Sequence, residues 1–273
     1  PTRPLRVTSA SSTDDKIALF RKLFRGRDDV YAKRWENKSG RSGYSPACKN
    51  QWVRHVCRKR CSQCNNADYL PLTDQIVREH LSGKRTIGVY PLMLNETCWF
   101  LAADFDGDHW HDDALAFVTA ANEMEVPAYL ERSRSGKGGH IWIFFDRPLE
   151  ASIVRDLGAT ILTKAMNSRP ELSFDSYDRF FPNQSTMPKG GFGNLIALPL
   201  QRIPLSAGHS AFVDNDLEPC PDQWAYLSEI RRMSSEEAVA IVQHAVGDNA
   251  ITGVEMSSDD QDPDDGTGSV DPW

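Results

Sequence analysis

Two short stretches of this chain carry residues whose types and spacing could do chemistry. Leu101-Ala-Ala-Asp-Phe-Asp-Gly107 reads as an apolar strand, and the two-residue period of a strand puts Asp104 and Asp106 on one face. Same-face carboxylates hold hard divalent cations. The second stretch, Ser133-Arg-Ser-Gly-Lys-Gly-Gly-His-Ile-Trp142, reads as a Gly-rich turn with Ser135, Gly136 and Lys137, followed by a strand that opens with His140. A flexible, amide-rich turn with a cation beside it suits a triphosphate. The turn has neither the order of a P-loop nor that of a dinucleotide fingerprint. A third acidic station, Asp175-Ser-Tyr-Asp178, precedes Arg179-Phe-Phe-Pro-Asn-Gln184. A third carboxylate is what two-metal nucleotidyl transfer needs to hold the ion that activates the attacking hydroxyl.

A different metal chemistry is suggested by Cys48, Cys57, Cys61 and Cys64. In a chain of cytosolic type such a cluster reads as metal before disulfide. Four thiolates suit tetrahedral zinc, and Cys61-Ser-Gln-Cys64 has the spacing of a zinc knuckle. Cys48 is the looser ligand, with His55 as its alternative. The stretch around them is polar and basic (Arg58-Lys-Arg60, Asn65-Asn66) and offers no core in which thiols would be buried. Cys98 and Cys220, in apolar or Pro-rich settings, are expected in the core.

The net charge of -7 conceals a segregated distribution. Residues 21–60 hold 13 Lys/Arg against 3 Asp/Glu, whereas residues 255–273 hold 7 acids and no bases. A basic arm interleaved with Trp35, Tyr44 and Trp52 favours phosphate contact with base stacking over a merely solvated face. No apolar run approaches the roughly 20 residues of a membrane span, and the N-terminus has no apolar core of secretory type. Cytoplasm is the expected compartment.

These residues need elements to position them. Helical spacing and capping residues mark residues 14–24, 73–81, 112–124, 151–166, 223–230 and 235–245 as helices. Residues 86–90 and 97–105 read as strands joined into a hairpin. Residues 128–132 and 140–145 are strands flanking the Gly-rich turn, 173–181 is extended, and 194–200 is a β-rich run with which 210–213 is expected to pair. Residues 25–70 show little periodicity, so a bound metal is expected to supply their order. The chain after Gly247 is rich in Asp, Ser and Gly and is expected to be disordered. The pattern is α+β: a mostly antiparallel sheet with helices on one face, which brings the strand ends bearing Asp104, Asp106 and His140 together. Three parts are expected. Residues 1–84 form a helical, basic, zinc-bearing segment, residues 85–232 the catalytic core, and residues 233–273 a helix with an acidic tail.

Asp104-Phe-Asp106, the stretch from Ser135 to His140, and Asp178 follow the order and approximate spacing of the three motifs of archaeo-eukaryotic primases. Longer stretches resemble one branch, the primase-polymerase domain of TOTE conflict systems. They are Gly88-Val-Tyr-Pro-Leu92, Phe100-Leu-Ala-Ala-Asp-Phe-Asp106, Ser133 to Phe145, Tyr177-Asp-Arg-Phe-Phe-Pro-Asn-Gln184 and Met187 to Gln201. The resemblance covers roughly residues 15–230 and includes the cysteines. It implies an RRM-like primase core and templated nucleotidyl transfer on single-stranded DNA: primer synthesis, extension, or both. It further implies two Mg²⁺ or Mn²⁺ ions bridged by Asp104 and Asp106, one of them also held by Asp178. Ser135, Gly136, Lys137 and His140 would hold the triphosphate, with Arg179 and Lys189 as further cations, and a structural Zn²⁺ would sit on the cysteines. In such systems the domain accompanies a helicase and a nuclease. Asp175 and Asp178 both stand near the expected third acid; Asp178 is preferred because it adjoins the Phe-Phe-Pro run.

Two other readings compete. His109-Trp-His111 is a His-hydrophobic-His triplet, as in rolling-circle (HUH) nicking endonucleases, with Tyr177 as the nearest nucleophile. Such a triplet must chelate one metal from a strand, and this one lies between strand and helix with Asp108 and Asp112 beside it. The last reading is a non-catalytic, zinc-dependent nucleic-acid-binding module.

Overall fold

The computed structural model describes residues 6–57, 64–171 and 173–247. Its strands form two sheets. The smaller has the order β2 (Ser42–Pro46), β1 (Ala32–Glu36), β3 (Ile87–Val89), β8 (Ile196–Ala197). The larger has the order β7 (Tyr177–Phe181), β4 (Thr97–Asp106), β6 (Gly138–Glu150), β5 (Tyr129–Arg132), β9 (Ala211–Phe212). Every ladder within the two sheets is antiparallel.

The larger sheet is covered on both faces, which is why its central strands are almost uninterruptedly apolar. On one face Leu101, Ala103 and Phe105 of β4 and Ile141, Ile143 and Phe145 of β6 join a core with α3 (Trp110–Glu123), α4 (Ala151–Ser168) and the helix Ser235–Gly247. On the other, Phe100, Ala102, Trp142 and Phe144 pack with Ile87 and Val89 of β3 and with Phe20 and Phe24 from the end of α1 (Thr13–Leu23). The Phe24 ring meets Trp142 and Phe144 edge-on, at centroid distances of 5.0 and 5.4 Å. Removing a ring buried in this way costs about 3–5 kcal/mol. Towards the end of β4 the cover thins on this second face. Phe105 is still buried against the helices, whereas Asp104 is half-buried and Asp106 is exposed.

The helices fall where capping and periodicity place them. Ser12 accepts from Asp15 N to cap α1, and Thr73 accepts from Ile76 N to cap α2 (Asp74–Leu81). His80 of α2 is fully buried. Its Nδ1 accepts from Ile87 N at 3.3 Å, which leaves Nε2–H to donate to Pro199 O at 2.9 Å. Burial drives this imidazole down to about 4, so it is neutral.

The expected hairpin between residues 86–90 and 97–105 does not form. Its tip closes, with Met93 N donating to Thr97 O at 2.8 Å, but β3 and β4 lie in different sheets. The edges of β3 are taken by β1 and β8, so none remains for β4. The expected pairing of 210–213 with 194–200 is also replaced. β9 pairs with β5, and only Leu200 N→Ser210 O joins the two runs. The buried Gln223 amide then occupies both backbone groups of Phe212, closing that edge of the sheet.

Hydrogen bonds hold much of the described part of the basic segment. β1 and β2 pair over five residues, Arg27 N donates to Tyr90 O, and Leu72 N donates to Asp28 O. β1 also pairs with β3, so strands from both sides of residue 84 share one sheet. Among the described residues no helix is long and apolar enough to cross a membrane.

Candidate active site

The site is assembled by strand register. Asp104 of β4 stands directly opposite His140 of β6, and His140 stands opposite Glu131 of β5, so three ionisable side chains line up across neighbouring strands. Asp106 stands opposite Gly138. On the other side of β4 the register with β7 slips. Ala103 faces Phe180 and Phe105 faces Tyr177, so Asp178 and Arg179 together oppose Asp104. This bulge brings the third acid to the first two. Asp175 lies before β7, exposed in the turn that leads into it.

Burial dominates the electrostatics of the acids, with attraction to His140 next and repulsion among the acids after it. Burial lifts the Asp104 carboxyl to about 6; Asp106 and Asp178 push the same way, against His140 and Arg179. Burial raises Asp106 as well. Burial alone would lower His140, but Glu131 and then Asp104 outweigh it and raise the imidazole to about 9. His140 Nε2 lies 3.5 Å from Asp104 Oδ1, beyond a hydrogen bond, and Asp104 Oδ1 is buried with no hydrogen-bond partner. A buried carboxylate oxygen without a hydrogen bond, beside two further acids, has the character of a cation site. Among the described residues no three His, Cys, Asp or Glu side chains close into a ready cage. Asp178 is turned to Arg179, whose Nε donates at 2.8 Å.

The turn between β5 and β6 holds itself. Gly136 N donates to Ser133 O, Ser133 N to Gly138 O, and Lys137 N to Ser135 Oγ. The amides of Gly136 and Lys137 are thus engaged within the turn, which differs from the expected amide cradle. What the turn offers outward is the exposed Lys137 side chain; Ser135 is exposed too, but its hydroxyl also meets Ser133 Oγ at 3.0 Å. Gly136 has φ +75° and lies under the His209 ring. A Cβ at Gly138 would fall inside the Asp106 carboxylate, and one at Gly139 would lie 2.5 Å from the Trp110 ring. Lys189 stands exposed on the loop between β7 and β8.

The nicking-endonuclease geometry does not form. His109 precedes α3 and His111 lies in its first turn, both exposed, instead of pairing on a strand. Trp110 between them is buried against Gly139. The Tyr177 hydroxyl is buried without a hydrogen-bond partner, and burial pushes it above the ordinary phenol range.

Of the four cysteines, Cys61 lies outside the described residues. Cys48, Cys57 and Cys64 are free thiols, and Cys48 Sγ accepts from Asp68 N at 3.3 Å. A bridge between Cys48 and Tyr69 closes the base of their loop. Cys98 is buried in the core, as expected, and Cys220 is half-buried.

Two acids escape a reading of the sequence. Glu131 sits in the strand Tyr129–Arg132, and its signal is a charge at a buried strand position. Asp113, buried in the first turn of α3, accepts from Ser176 Oγ at 2.6 Å, and Ser176 O accepts from Asp106 N at 2.7 Å. That clamp holds the entry to β7 against the end of β4.

Comparison with known proteins bears on this arrangement. A search of curated proteins finds no match. Among solved structures, the polymerase domain from Mycobacterium tuberculosis ligase D in complex with DNA is similar over 87% of this chain and 89% of its own, with 12% identity and a TM-score of 0.41. A family model described as the archaeo-eukaryotic primase domain of TOTE conflict systems matches residues 15–241. That match takes in every strand of both sheets and all three acids, and the chain belongs to this family, which is of nucleotidyltransferase type.

Proposed function

We propose that this chain is a metal-dependent primase-polymerase that performs templated nucleotidyl transfer on single-stranded DNA. The observation that carries the reading is the buried, unpartnered Asp104 Oδ1, flanked by Asp106 and Asp178 and opposite His140. The donor set fits hard divalent cations, Mg²⁺ or Mn²⁺, since all three acids offer carboxylate oxygens. Asp104 and Asp106 would hold the ions, and Asp178 would join them by exchanging its exposed ion pair with Arg179. Such a pair is worth only about 0–1 kcal/mol, so the exchange is cheap. Bound there, the ions supply Lewis acidity to the attacking hydroxyl and neutralise charge on the leaving pyrophosphate.

The chain's own side chains do the rest. His140 Nε2, Ser135 Oγ and Lys137 Nζ would hold the triphosphate, with Gly136 allowing the turn. Arg179, freed from Asp178, and Lys189 would add positive charge. Basic residues of the hairpin formed by β1 and β2 would track the template phosphates. A structural zinc on Cys48, Cys57, Cys61 and Cys64 would fix the loop that extends this basic surface. Helicase and nuclease modules are the expected companions, and the cytoplasm is the expected compartment.

The test offers single-stranded templates, with and without a primer, with ribo- or deoxynucleotides and with Mg²⁺ or Mn²⁺. Primer synthesis or extension by the wild type, absent from a folded Asp104→Ala/Asp106→Ala variant, is the expected result. No product under any of these conditions, or equal product from the double variant, would overturn the proposal.

A further inference from the structure

One buried carboxylate at the site takes no part in the reaction as described. The Glu131 side chain is 2% exposed. Its Oε2 receives two ring donors, His140 Nδ1 at 2.7 Å and Trp142 Nε1 at 3.1 Å. Burying a carboxylate costs several kcal/mol unless its lone pairs are well used. Tyr129, two residues earlier on the same face, packs against the apolar core that contains Trp142, so an apolar residue would serve stability better at this position. The register places Glu131 beside His140 on the side away from Asp104.

We propose that Glu131 is the positioning residue for His140. A carboxylate only accepts, so the contact assigns a proton to Nδ1 and fixes the plane of the ring. The opposite nitrogen, Nε2, is thereby aimed at the space beside Asp104, where the triphosphate would lie. Trp142, whose ring is fully buried and stacks parallel to Phe144 at 6.0 Å, holds the same Glu131 oxygen from the next turn of the pleat. The rigid core is thus coupled to one phosphate-facing nitrogen through a single oxygen. This inference rests on reading His140 as a triphosphate ligand.

The experiment compares wild type, Glu131→Gln, Glu131→Ala, His140→Ala and the Glu131→Gln/His140→Ala double variant. It reads KM and kcat for the incoming nucleotide, and the calorimetric Kd of a nucleoside triphosphate with Ca²⁺. Glu131→Ala is expected to weaken nucleotide binding about 10-fold or more, the scale of lost support behind a ligating histidine. Glu131→Gln keeps an acceptor at the same place and is expected to recover part of that loss, with KM and Kd moving more than kcat. In the His140→Ala background, Glu131→Gln is expected to change nothing further. If Glu131→Ala fails to fold, the Gln variant and the cycle carry the test alone. A His140→Ala variant with wild-type Kd would sink the reading of His140 itself. A weakened His140→Ala with a silent Glu131→Gln, or with additive losses in the double variant, would overturn the positioning role and leave the site reading intact.

Discussion

Gly138→Ala is a sharp perturbation of this site, because the substituted position is not a ligand. Gly138 faces Asp106 across the ladder, and an added Cβ would fall inside the Asp106 carboxylate. The same Cβ would lie 2.6 Å from Phe105 O, whereas ordinary contact begins near 3.4 Å. Roughly 0.8 Å must therefore be found by movement of β6 or β4. The carboxylate can rotate away, but the Phe105 carbonyl is backbone and cannot yield without straining the ladder. Overpacking of this kind costs about 1–3 kcal/mol, which lowers the melting temperature by roughly 2–12 °C for a chain of this size. Displacement of a catalytic carboxylate by nearly 1 Å costs on the order of 100-fold in rate. Primer extension on a single-stranded template, run beside a thermal melt, reads both effects. Loss of most activity from a protein that still melts cooperatively is expected. Wild-type activity with an unshifted melt would refute the close approach of Gly138 to Asp106, and with it the placement of that carboxylate.

Other outcomes follow from the same geometry. Asp104→Asn should abolish extension yet raise the melting temperature in EDTA at pH 7–8. The ionised carboxylate there opposes folding above its pKa of about 6, a cost of up to about 3 kcal/mol relative to an ordinary aspartate; an unchanged or lower melt contradicts a burial cost that outweighs the attraction of His140. The His80 imidazole is depressed to about 4 by burial. Its contribution to stability is complete above the unfolded value near 6.5 and is lost as pH falls towards 4, on the order of 3 kcal/mol. Urea titrations at pH 7.5 and 5 should therefore show a steeper loss for wild type than for His80→Gln, and equal slopes would count against it. Asp178→Ala should lose far more activity than Asp175→Ala, and the reverse order would move the third ligand. Metal analysis of freshly purified protein should find one zinc per chain, and stripping it should weaken DNA binding with little change in nucleotide binding. Absence of zinc, with the thiols titrating freely, would remove that site.

Local chemistry was legible in the residues alone. The strand Thr97–Asp106 announces itself by an apolar run, and a period of two is enough to place Asp104 and Asp106 on one face. The helices Thr13–Leu23 and Asp74–Leu81 follow from Ser12 and Thr73 as caps and from apolar spacing behind them. These signals act over a few residues, and the backbone answers them before any tertiary contact is made. The family resemblance likewise lay in contiguous motifs.

Which strand edges meet is a different kind of fact. Strands of similar composition compete for the same partners, and the winner depends on what else occupies each edge. Residues 86–90 and 97–105 look like a hairpin in isolation, yet β1 and β8 claim both edges of β3. The line Asp104–His140–Glu131 exists only because three strands align in register, and nothing near Glu131 in the chain names His140 as its partner. The bulge that sets Asp178 and Arg179 against Asp104, and the packing of Trp110 on Gly139 that makes a core residue of a His-Trp-His triplet, are likewise products of packing. The residue types specified that carboxylates, a histidine and a Gly-rich turn were present. Only the folded sheets determined which of them share a face, which are buried, and which oxygen is left without a partner.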